Sequence, residues 1–115
     1  MKAGAGGYVG TYYYEQELLN FLYSGGLSAH AGGKALTDDS VGVRLDTDTD
    51  CLWVDIFAFG GILAIGDSTS VRADANAIGA ILTPGSTPYR IFCPNLNRIY
   101  VSGANGTRAC YVYYV

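Results

Sequence analysis

Charged side chains are scarce in this 115-residue chain, where Asp, Glu, Lys and Arg make up only 15% of the residues. The seven Lys and Arg residues are scattered, and the formal net charge is −3. Nucleic-acid-binding proteins normally present a clustered basic surface, so we expect no nucleic-acid partner. No apolar run approaches the ~20 residues of a membrane-spanning helix, so we expect no membrane partner either. Residues 1–7 carry one Lys without a following apolar stretch, which predicts no secretory signal and assembly in a cytoplasm.

Cysteine and histidine are also scarce. The three cysteines, Cys51, Cys93 and Cys110, form no CxxC pair of the kind that zinc and redox sites use. Each stands among apolar residues, which favours buried free thiols over the alternative of a disulfide between chains. The one histidine, His30, lies among small residues and is interpreted as a solvated loop side chain. We therefore predict no cofactor.

Apolar residues, glycine and tyrosine are abundant instead. Half of the chain is hydrophobic, with 16 Gly and 10 Tyr. Disordered chains are poor in apolar and aromatic residues, so we expect one folded domain. So small a domain has a limited interior, which favours a surface that partner proteins cover in part.

Residues 1–40 differ from the rest and are predicted to form an N-terminal arm. Within it, Tyr14, Leu18 and Leu22 recur at helical spacing, and Gly25-Gly26 follows as a stop signal. A short helix at about 14–23 is expected, too short to be stable without docking. The large apolar and aromatic side chains of the arm are candidate interface residues: Tyr8, Tyr12, Tyr13, Tyr14, Leu18 and Phe21. The alternative for the tyrosines is ordinary packing of the arm on its own domain.

From residue 41 onward the pattern is typical of β structure. Strands are predicted at 41–45, 51–59, 62–65, 69–73, 88–93, 98–102 and 107–115. The nearly continuous apolar run at 51–59 predicts a central strand buried on both faces. Gly60-Gly61 and Asn105-Gly106 predict hairpins, and Thr83-Pro84-Gly85-Ser86 predicts a turn. The expected fold over 41–115 is all-β, a compact antiparallel β-sandwich or barrel of jelly-roll or immunoglobulin-like type.

The segment Gly66-Asp67-Ser68 resembles the nucleophile block of GDSL-type hydrolases. A serine nucleophile needs a base, which that family takes from an Asp-x-x-His after the serine. Here the one histidine, His30, precedes Ser68, and no Asp-x-x-His follows. We predict no catalytic residue and no enzyme, and interpret Ser68 as a turn residue.

Asp46, Asp48 and Asp50 alternate as carboxylates do in calcium loops. An EF-hand would need Gly at the sixth position and Glu at the twelfth, where this chain has Cys51 and Phe57. The interpretation is a polar turn between strands, and no metal site is predicted. A looser calcium site is the alternative.

Five landmarks follow one another in residues 49–115. They are a Cys-started apolar strand at 49–54, an Ile-Gly-Asp-Ser turn at 65–68, Leu-x-Pro-Gly at 82–85, Leu-Asn-x-Ile-Tyr-Val at 96–101 and a Tyr-rich strand at 106–114. In this order they resemble a pattern of small virion-associated proteins of tailed bacteriophages. The resemblance implies a β-sandwich or barrel used as a building block of the particle surface, with no catalytic residues. Residues 1–40 lie outside the pattern.

The resemblance implies a non-enzymatic virion structural protein, first of all a capsid decoration (cement) protein that stabilises the head by protein–protein contacts. The expected partners are the major capsid protein or other virion proteins and further copies of the chain, and a trimer is compatible with the sequence. The expected location is the virion, assembled in the host cytoplasm. A tail, collar or fibre-base component is the alternative within the virion. A carbohydrate-binding surface module that uses Tyr and Trp faces is the alternative of another class.

Overall fold

The computed structural model of the chain describes residues 28–115. The helix predicted at about 14–23 lies outside the described residues. So do all six candidate interface residues of the arm, Tyr8, Tyr12, Tyr13, Tyr14, Leu18 and Phe21.

The described part folds into two antiparallel sheets of four strands each. The strands are β1 (Ala29–Ala35), β2 (Val43–Arg44), β3 (Trp53–Phe59), β4 (Leu63–Gly66), β5 (Ala80–Leu82), β6 (Tyr89–Phe92), β7 (Tyr100–Ser102) and β8 (Arg108–Tyr114). A 3-10 helix at Leu96–Arg98 connects β6 to β7. The strand order is β1-β8-β3-β6 in the first sheet and β2-β7-β4-β5 in the second. The predicted all-β antiparallel fold is confirmed, in its two-sheet form.

Alternate residues of both sheets form one shared core. Val54 and Ile56 of β3 are buried against Leu63, Ile65 and Val101 of the second sheet, all at 3% exposure or less. Because successive side chains of a strand point to opposite faces, the residues between them point away from the core. Each fully buried aliphatic side chain contributes about 1.5–3 kcal/mol to stability, so this row holds the two sheets together.

Strand β3 is central, as predicted, because it pairs with β8 on one side and β6 on the other. The described residues, however, bury it on one face more than on the other. On the face turned away from the core, Phe57 is 37% exposed and Phe59 is 62% exposed. The predicted burial of both faces is therefore not met within residues 28–115.

Both predicted hairpins are wrong, because each of the two glycine turns carries the chain from one sheet to the other. Gly60-Gly61 connects β3 of the first sheet to β4 of the second, and Asn105-Gly106 connects β7 of the second sheet to β8 of the first. A type I′ hairpin turn needs positive φ at both central residues. Gly106 has φ 96°, whereas Asn105 does not have positive φ. The turn, closed by a 2.9 Å hydrogen bond from Thr107 N–H to the Ala104 carbonyl, is therefore not a type I′ turn.

The strand predicted at 69–73 is also wrong. Only one isolated bridge forms there, between Arg72 and Ile78, and the segment instead lies over the second sheet. Val71 is 2% exposed, and a Cβ on Gly66 of β4 would lie 2.6 Å from its side chain. The Gly42 N–H donates to the Thr69 carbonyl at 2.9 Å, which ties this segment to the one before β2.

These two segments bury the outward side of the second sheet. Ala64 and Ser102 are register partners on that side, and both are fully buried. The Ser102 hydroxyl donates to the Asp38 carbonyl at 3.2 Å. The chain therefore covers this side of the sandwich with its own loops.

A strand lies within the stretch that the sequence assigned to the arm. All seven residues of β1 pair with β8, from Ala29 opposite Tyr114 to Ala35 opposite Arg108. Its sequence is mostly Ala and Gly, so it carries no apolar alternation from which a strand could be predicted. Pairing with β8 determines its conformation.

The turn predicted at Thr83–Ser86 is confirmed, since Gly85 has φ 84° and the Ser86 N–H donates to the Thr83 carbonyl at 3.1 Å. Among residues 28–115 there is no helix of the length and apolar character needed to span a membrane.

Candidate interaction surface

The first sheet presents a mostly apolar side that is turned away from the core. The register sets its residues in four adjacent rows. We call this set the outer face: Ala29, Ala31, Gly33 and Ala35 of β1, Arg108, Cys110, Val112 and Tyr114 of β8, Trp53, Asp55, Phe57 and Phe59 of β3, and Arg90 and Phe92 of β6.

The outer face is both apolar and open. Phe59 is 62% and Phe92 65% exposed, and the outer-face residues of β1, at the far edge of the same sheet, are small and exposed. Single exposed apolar residues are normal on proteins, whereas a contiguous apolar patch marks a contact surface. The outer face is therefore a candidate interaction surface.

Trp53 lies at one end of the outer face. Its ring stacks on Tyr114 with the centroids 4.8 Å apart, and it lies 5.9 Å from the ring of Phe92. Trp53 is only 6% exposed. Its Nε1 is buried and has no hydrogen-bond partner within the described part of the chain.

One ion pair interrupts the apolar surface. The Arg90 guanidinium binds both carboxylate oxygens of Asp55, at 2.7 and 2.9 Å, across the β3–β6 pair. The same guanidinium lies 5.3 Å from the centre of the Trp53 ring, within the range of a cation–π contact. Both faces of Trp53 thus have neighbours, Tyr114 on one side and Arg90 on the other, so this ring is not an open platform for a sugar.

The hydroxyl of Ser68 takes part in a local turn. It lies 2.7 Å from the Ser70 hydroxyl and accepts the Ser70 N–H at 3.3 Å. This bonding fits the interpretation of Ser68 as a turn residue. His30 lies on β1 of the other sheet, where its ring stacks on Tyr113 at 5.3 Å. The expectation that His30 is a loop side chain is wrong, because β1 extends through this position.

The three aspartates do not converge on one point, because Asp46 accepts from the Tyr111 hydroxyl whereas Asp48 and Asp50 share another partner. Asp48 and Asp50 both accept from Asn95 Nδ2, at 2.6 and 3.2 Å. The side-chain oxygen Oδ1 of Asn95 in turn accepts the N–H groups of Thr49 and Asn97, both at 3.0 Å. Among residues 28–115 no three or more His, Cys, Asp or Glu side chains form a group that could hold a metal ion. The geometry corresponds to a polar turn tied to the 3-10 helix.

Asp46 faces an open cleft of about 700 Å³ beside β1 and β2. The Tyr111 hydroxyl donates to the Asp46 carboxylate at 2.5 Å. This hydrogen bond lowers the pKa of Asp46, and burial together with Asp46 raises the pKa of Tyr111. Lys34 and Arg44 also line the cleft, and Arg44 lies 5.4 Å from the ring centre of Tyr100. The cleft thus combines tyrosine rings with charges of both signs.

The cysteines are free thiols, and two of them are neighbours. The sulfur atoms of Cys51 and Cys93 lie 3.6 Å apart, and the Cys51 thiol donates to the Cys93 carbonyl at 3.0 Å. Burial raises the pKa of Cys51 to about 12, with a further contribution from Cys93. The expected burial is met by Cys51, whereas Cys93 and Cys110 are partly exposed.

The outer face was not predicted from the sequence, although the sequence contains two patterns that point to it. The run at 51–59 is apolar at positions that belong to both faces of β3, and the final strand is rich in tyrosine. These patterns predict burial on both faces without saying what covers the second one. The arm residues predicted as an interface and the face found here lie in different parts of the chain.

The chain was compared with protein-family models, curated proteins and solved structures. No protein-family model matches the chain, no curated protein matches it, and no solved structure matches it.

Proposed function

We propose that this chain is a non-enzymatic structural protein of a tailed-phage virion, in the first place a capsid decoration protein. The observation that carries the proposal is the exposure of large apolar side chains on opposite sides of the sandwich. Phe59 and Phe92 lie on the outer face, at 62% and 65% exposure. Ile62, Ile78 and Ile81 lie at the β4–β5 edge of the second sheet, at 48%, 49% and 45%.

The second group of exposed apolar side chains is small and lies around β4 and β5 of the second sheet. Ile81 pairs with Ala64, whose side chain points away from the core, so Ile81 points the same way. Ile78 precedes β5 and exchanges two backbone hydrogen bonds with Arg72, at 2.9 and 3.0 Å. The loops over the second sheet therefore leave apolar side chains open around β4 and β5, and we call Ile62, Ile78 and Ile81 together the β4–β5 edge.

Burial of such patches is the mechanism by which a decoration protein would stabilise a shell. Each Å² of apolar surface removed from water contributes about 25 cal/mol, and a stable contact buries roughly 1,600 Å² in total. Loss of rotational and translational freedom offsets much of this gain. Repetition of the contact by the symmetry of a shell adds avidity. The resemblance of residues 49–115 to small virion proteins supports a phage particle as the setting.

The copy number of the chain in purified particles tests the proposal. Particles produced from the genome that encodes the chain would be analysed by quantitative mass spectrometry. Symmetry fixes the number of copies, so on the order of hundreds per particle supports a capsid location. About six to a few dozen supports the alternative of a tail, collar or fibre-base component. Absence from the particles overturns the proposal.

The non-enzymatic part of the proposal has its own test. The purified chain and its Ser68→Ala variant would be assayed on p-nitrophenyl esters. No turnover above background is expected from either protein. Turnover that disappears in Ser68→Ala would contradict the proposal, because a serine nucleophile would then be at work.

One observation favours a second candidate of another class, a carbohydrate-binding module. The cleft beside Asp46 offers tyrosine rings, a carboxylate and two cationic side chains to a solvent-exposed ligand. A glycan array with the wild-type chain and Arg44→Ala tests it. A glycan that the wild type binds and the variant loses would favour this candidate.

A further inference from the structure

Two of the three cysteines lie in contact where two paired strands end. Cys51 stands two residues before β3, Cys93 directly follows β6, and β3 pairs with β6. Their sulfur atoms are 3.6 Å apart, which is van der Waals contact. A disulfide bond measures about 2.05 Å, so each sulfur would have to move by only about 0.8 Å for the bond to form.

Hydrogen bonds hold the backbone around this pair. The Cys51 N–H donates to the Pro94 carbonyl at 3.0 Å, and the Cys51 thiol donates to the Cys93 carbonyl at 3.0 Å. An isolated bridge between Asp50 and Asn95 continues the pairing by one more residue. The fold therefore keeps the two sulfur atoms together.

The third cysteine, Cys110, is remote from this pair. It lies opposite Phe57 in the pairing of β3 with β8, and Phe57 is six residues after Cys51 along the chain. Six residues of extended strand span roughly 20 Å, whereas a disulfide needs Cα atoms within about 7 Å of each other. Cys110 is therefore no competing partner for Cys51 in the folded chain.

The two neighbouring thiols differ in their access to solvent. Cys51 is 6% exposed, whereas Cys93 is partly exposed and lines an open cleft of about 310 Å³. A water molecule occupies about 30 Å³ in the liquid, so a molecule the size of hydrogen peroxide has room to reach Cys93. A reagent from solution therefore meets Cys93 first, and Cys51 reacts only with an atom already in contact with it.

The apolar wall of the cleft favours a product that leaves no polar group on Cys93. Ile65, Ile91 and Ile99 line the cleft together with Cys93, which packs against the buried core. A sulfenic acid on Cys93 would set a polar hydroxyl against apolar side chains, which costs free energy unless the hydroxyl is hydrogen-bonded. Loss of this hydroxyl as water, when a disulfide forms, removes that cost.

We propose that Cys51 and Cys93 are an oxidation site for hydrogen peroxide, at which Cys93 is oxidised first and Cys51 then closes a disulfide within the chain. This inference goes beyond the proposed function and does not depend on it. The bond joins the segment before β3 to the segment after β6 and encloses residues 51–93. Because a cross-link over a loop of this length restricts the unfolded chain, the oxidised form is expected to be the more stable one.

The oxidation balances in two steps. The Cys93 thiolate attacks one peroxide oxygen and the O–O bond breaks, which leaves a sulfenic acid on Cys93 and a hydroxide that takes up the proton lost by Cys93. The Cys51 sulfur then attacks the Cys93 sulfur, the S–O bond breaks, and the oxygen leaves as water with the Cys51 proton. The two thiols lose two electrons, the peroxide gains them, and two water molecules form.

The high pKa of Cys51 is compatible with the second step. Burial raises this pKa to about 12, so only about one molecule in 10⁵ carries the Cys51 thiolate at pH 7. A reacting group that is held in the correct geometry reaches an effective concentration of about 10⁵ M or more, which offsets the shortage of thiolate. A reagent in solution has no such advantage, so Cys51 resists it.

Peptide mass spectrometry of the oxidised full-length chain tests the proposal. The reduced wild type would be treated with a few equivalents of hydrogen peroxide, unfolded in urea with iodoacetamide, and digested with trypsin without reductant. Cleavage after arginine places the three cysteines on separate peptides, 45–72, 91–98 and 109–115. The expected product is monomeric protein with a cross-link between the first two peptides and with Cys110 alkylated. The control Cys110→Ala should give the same yield of cross-link.

Two further variants test the order of the reaction. In Cys51→Ala the sulfenic acid on Cys93 has no thiol beside it, so dimedone, which labels sulfenic acids, should label Cys93. In Cys93→Ala, labelling of the buried Cys51 should be at least about tenfold lower. Circular dichroism would show that both variants keep the β fold.

Four outcomes of these experiments would overturn the proposal. Two are wild-type thiols that stay reduced and a sulfinic acid on Cys93 beside a Cys51 thiol, because either means that no disulfide forms at this site. Cross-linking of Cys110 as frequent as that of Cys51 would show that contact between the sulfur atoms does not direct the reaction. Equal dimedone labelling of Cys51 and Cys93 would contradict the order of attack.

Urea unfolding tests the expected gain in stability. The midpoint of the oxidised wild type should lie about 1 M or more above that of the reduced protein and should return to the reduced value after dithiothreitol. Peroxide-treated Cys93→Ala is the control for oxidation elsewhere in the chain, and its midpoint should not move. An unchanged midpoint in the cross-linked wild type would refute the stabilising role of the bond. Because no particle is involved, these results are separate from the test of the virion assignment.

Discussion

Tyr111 connects the two sheets at the cleft. It lies on β8 of the first sheet and reaches Asp46, which follows β2 of the second sheet. Its ring lies across Gly32 of β1, where a Cβ atom would come within 2.6 Å of the ring. A residue without a side chain is therefore required at position 32, and the absence of a side chain there lets one hydrogen bond join the layers.

Removal of the Tyr111 hydroxyl is expected to weaken the fold. Tyr111→Phe should lower the free energy of unfolding by about 1–2 kcal/mol, since a hydrogen bond to a charged acceptor is lost. Urea unfolding followed by circular dichroism measures the difference. Tyr113→Phe is the control on the same strand.

The effect of Tyr111→Phe should depend on pH in a defined direction. The pKa of Asp46 is lowered in the fold, so its contribution is present above the unfolded pKa of about 3.9 and is lost as pH falls through the folded value. The pKa of Tyr111 is raised, so its contribution is present below the unfolded pKa of about 10 and is lost as pH rises above it. The difference between the wild type and Tyr111→Phe should therefore be largest from about pH 5 to 9. A difference that is the same at about pH 3 and 7 would contradict the role given to Asp46.

The thiol of Cys51 is expected to be chemically inert in the folded protein. Burial raises its pKa to about 12, and only the thiolate reacts with iodoacetamide. At pH near 8, alkylation of Cys51 should be at least about 100-fold slower in the native protein than in urea. Peptide mass spectrometry after timed labelling gives both rates. Comparable rates would show that Cys51 is not held in a buried site.

At the scale of elements, the two turns that cross between the sheets lie against each other. Gly60 has φ 84°, and a Cβ atom there would lie 2.6 Å from the Gly106 carbonyl oxygen. This close approach of two backbones fixes the end of the sandwich where β3 passes to β4 and β7 passes to β8.

Two glycine variants separate the cost of the left-handed backbone conformation at Gly60 from the cost of its close contact with Gly106. Gly85 has the same φ of 84° but nothing within 4 Å of a Cβ position. Gly85→Ala should cost about 1–2 kcal/mol from the left-handed conformation alone, and Gly60→Ala roughly 1–3 kcal/mol more because the methyl group meets the Gly106 carbonyl. Chemical denaturation of both variants measures the two costs. Equal costs would show that the contact between the two turns carries no energy.

Local sequence signals located most strands but not their partners. The apolar run at 51–59 and the Pro84-Gly85 turn depend on residues close in the chain, so they were predictable. The glycine pairs at 60–61 and 105–106 signal a turn, but they do not say whether the chain returns in the same sheet or crosses to the other. Strand β1 gave no signal, because Ala and Gly show no apolar alternation and its pairing partner β8 is more than 70 residues further along the chain.

At the scale of the whole molecule, the exposed apolar side chains lie in two separate regions, the outer face of the first sheet and the β4–β5 edge with Ile62, Ile78 and Ile81. In the function that we propose, the β4–β5 edge contacts a partner on the particle.

A charge placed at the β4–β5 edge tests the contact proposed there. Particles assembled without the chain would be mixed with the purified protein. Ile81→Asp should bind them with an affinity about tenfold or more lower than the wild type, since a charge would be buried in the contact. Thr87→Asp, at an exposed position on neither patch, is the control for added charge. Sedimentation of labelled protein with particles gives the affinity, and equal binding of Ile81→Asp and the control would refute a contact at this edge.

Local patterns in the sequence were enough to predict the class of the fold and its turns, because strand alternation and turn chemistry depend on neighbours in the chain. They also indicated that β3 has two apolar faces. The three-dimensional structure was needed to show which strands share a sheet, that Asp48 and Asp50 converge on Asn95, and that residues 28–115 leave an apolar face of the first sheet uncovered. These features depend on contacts between residues that are distant in the chain, and no local pattern encodes such contacts.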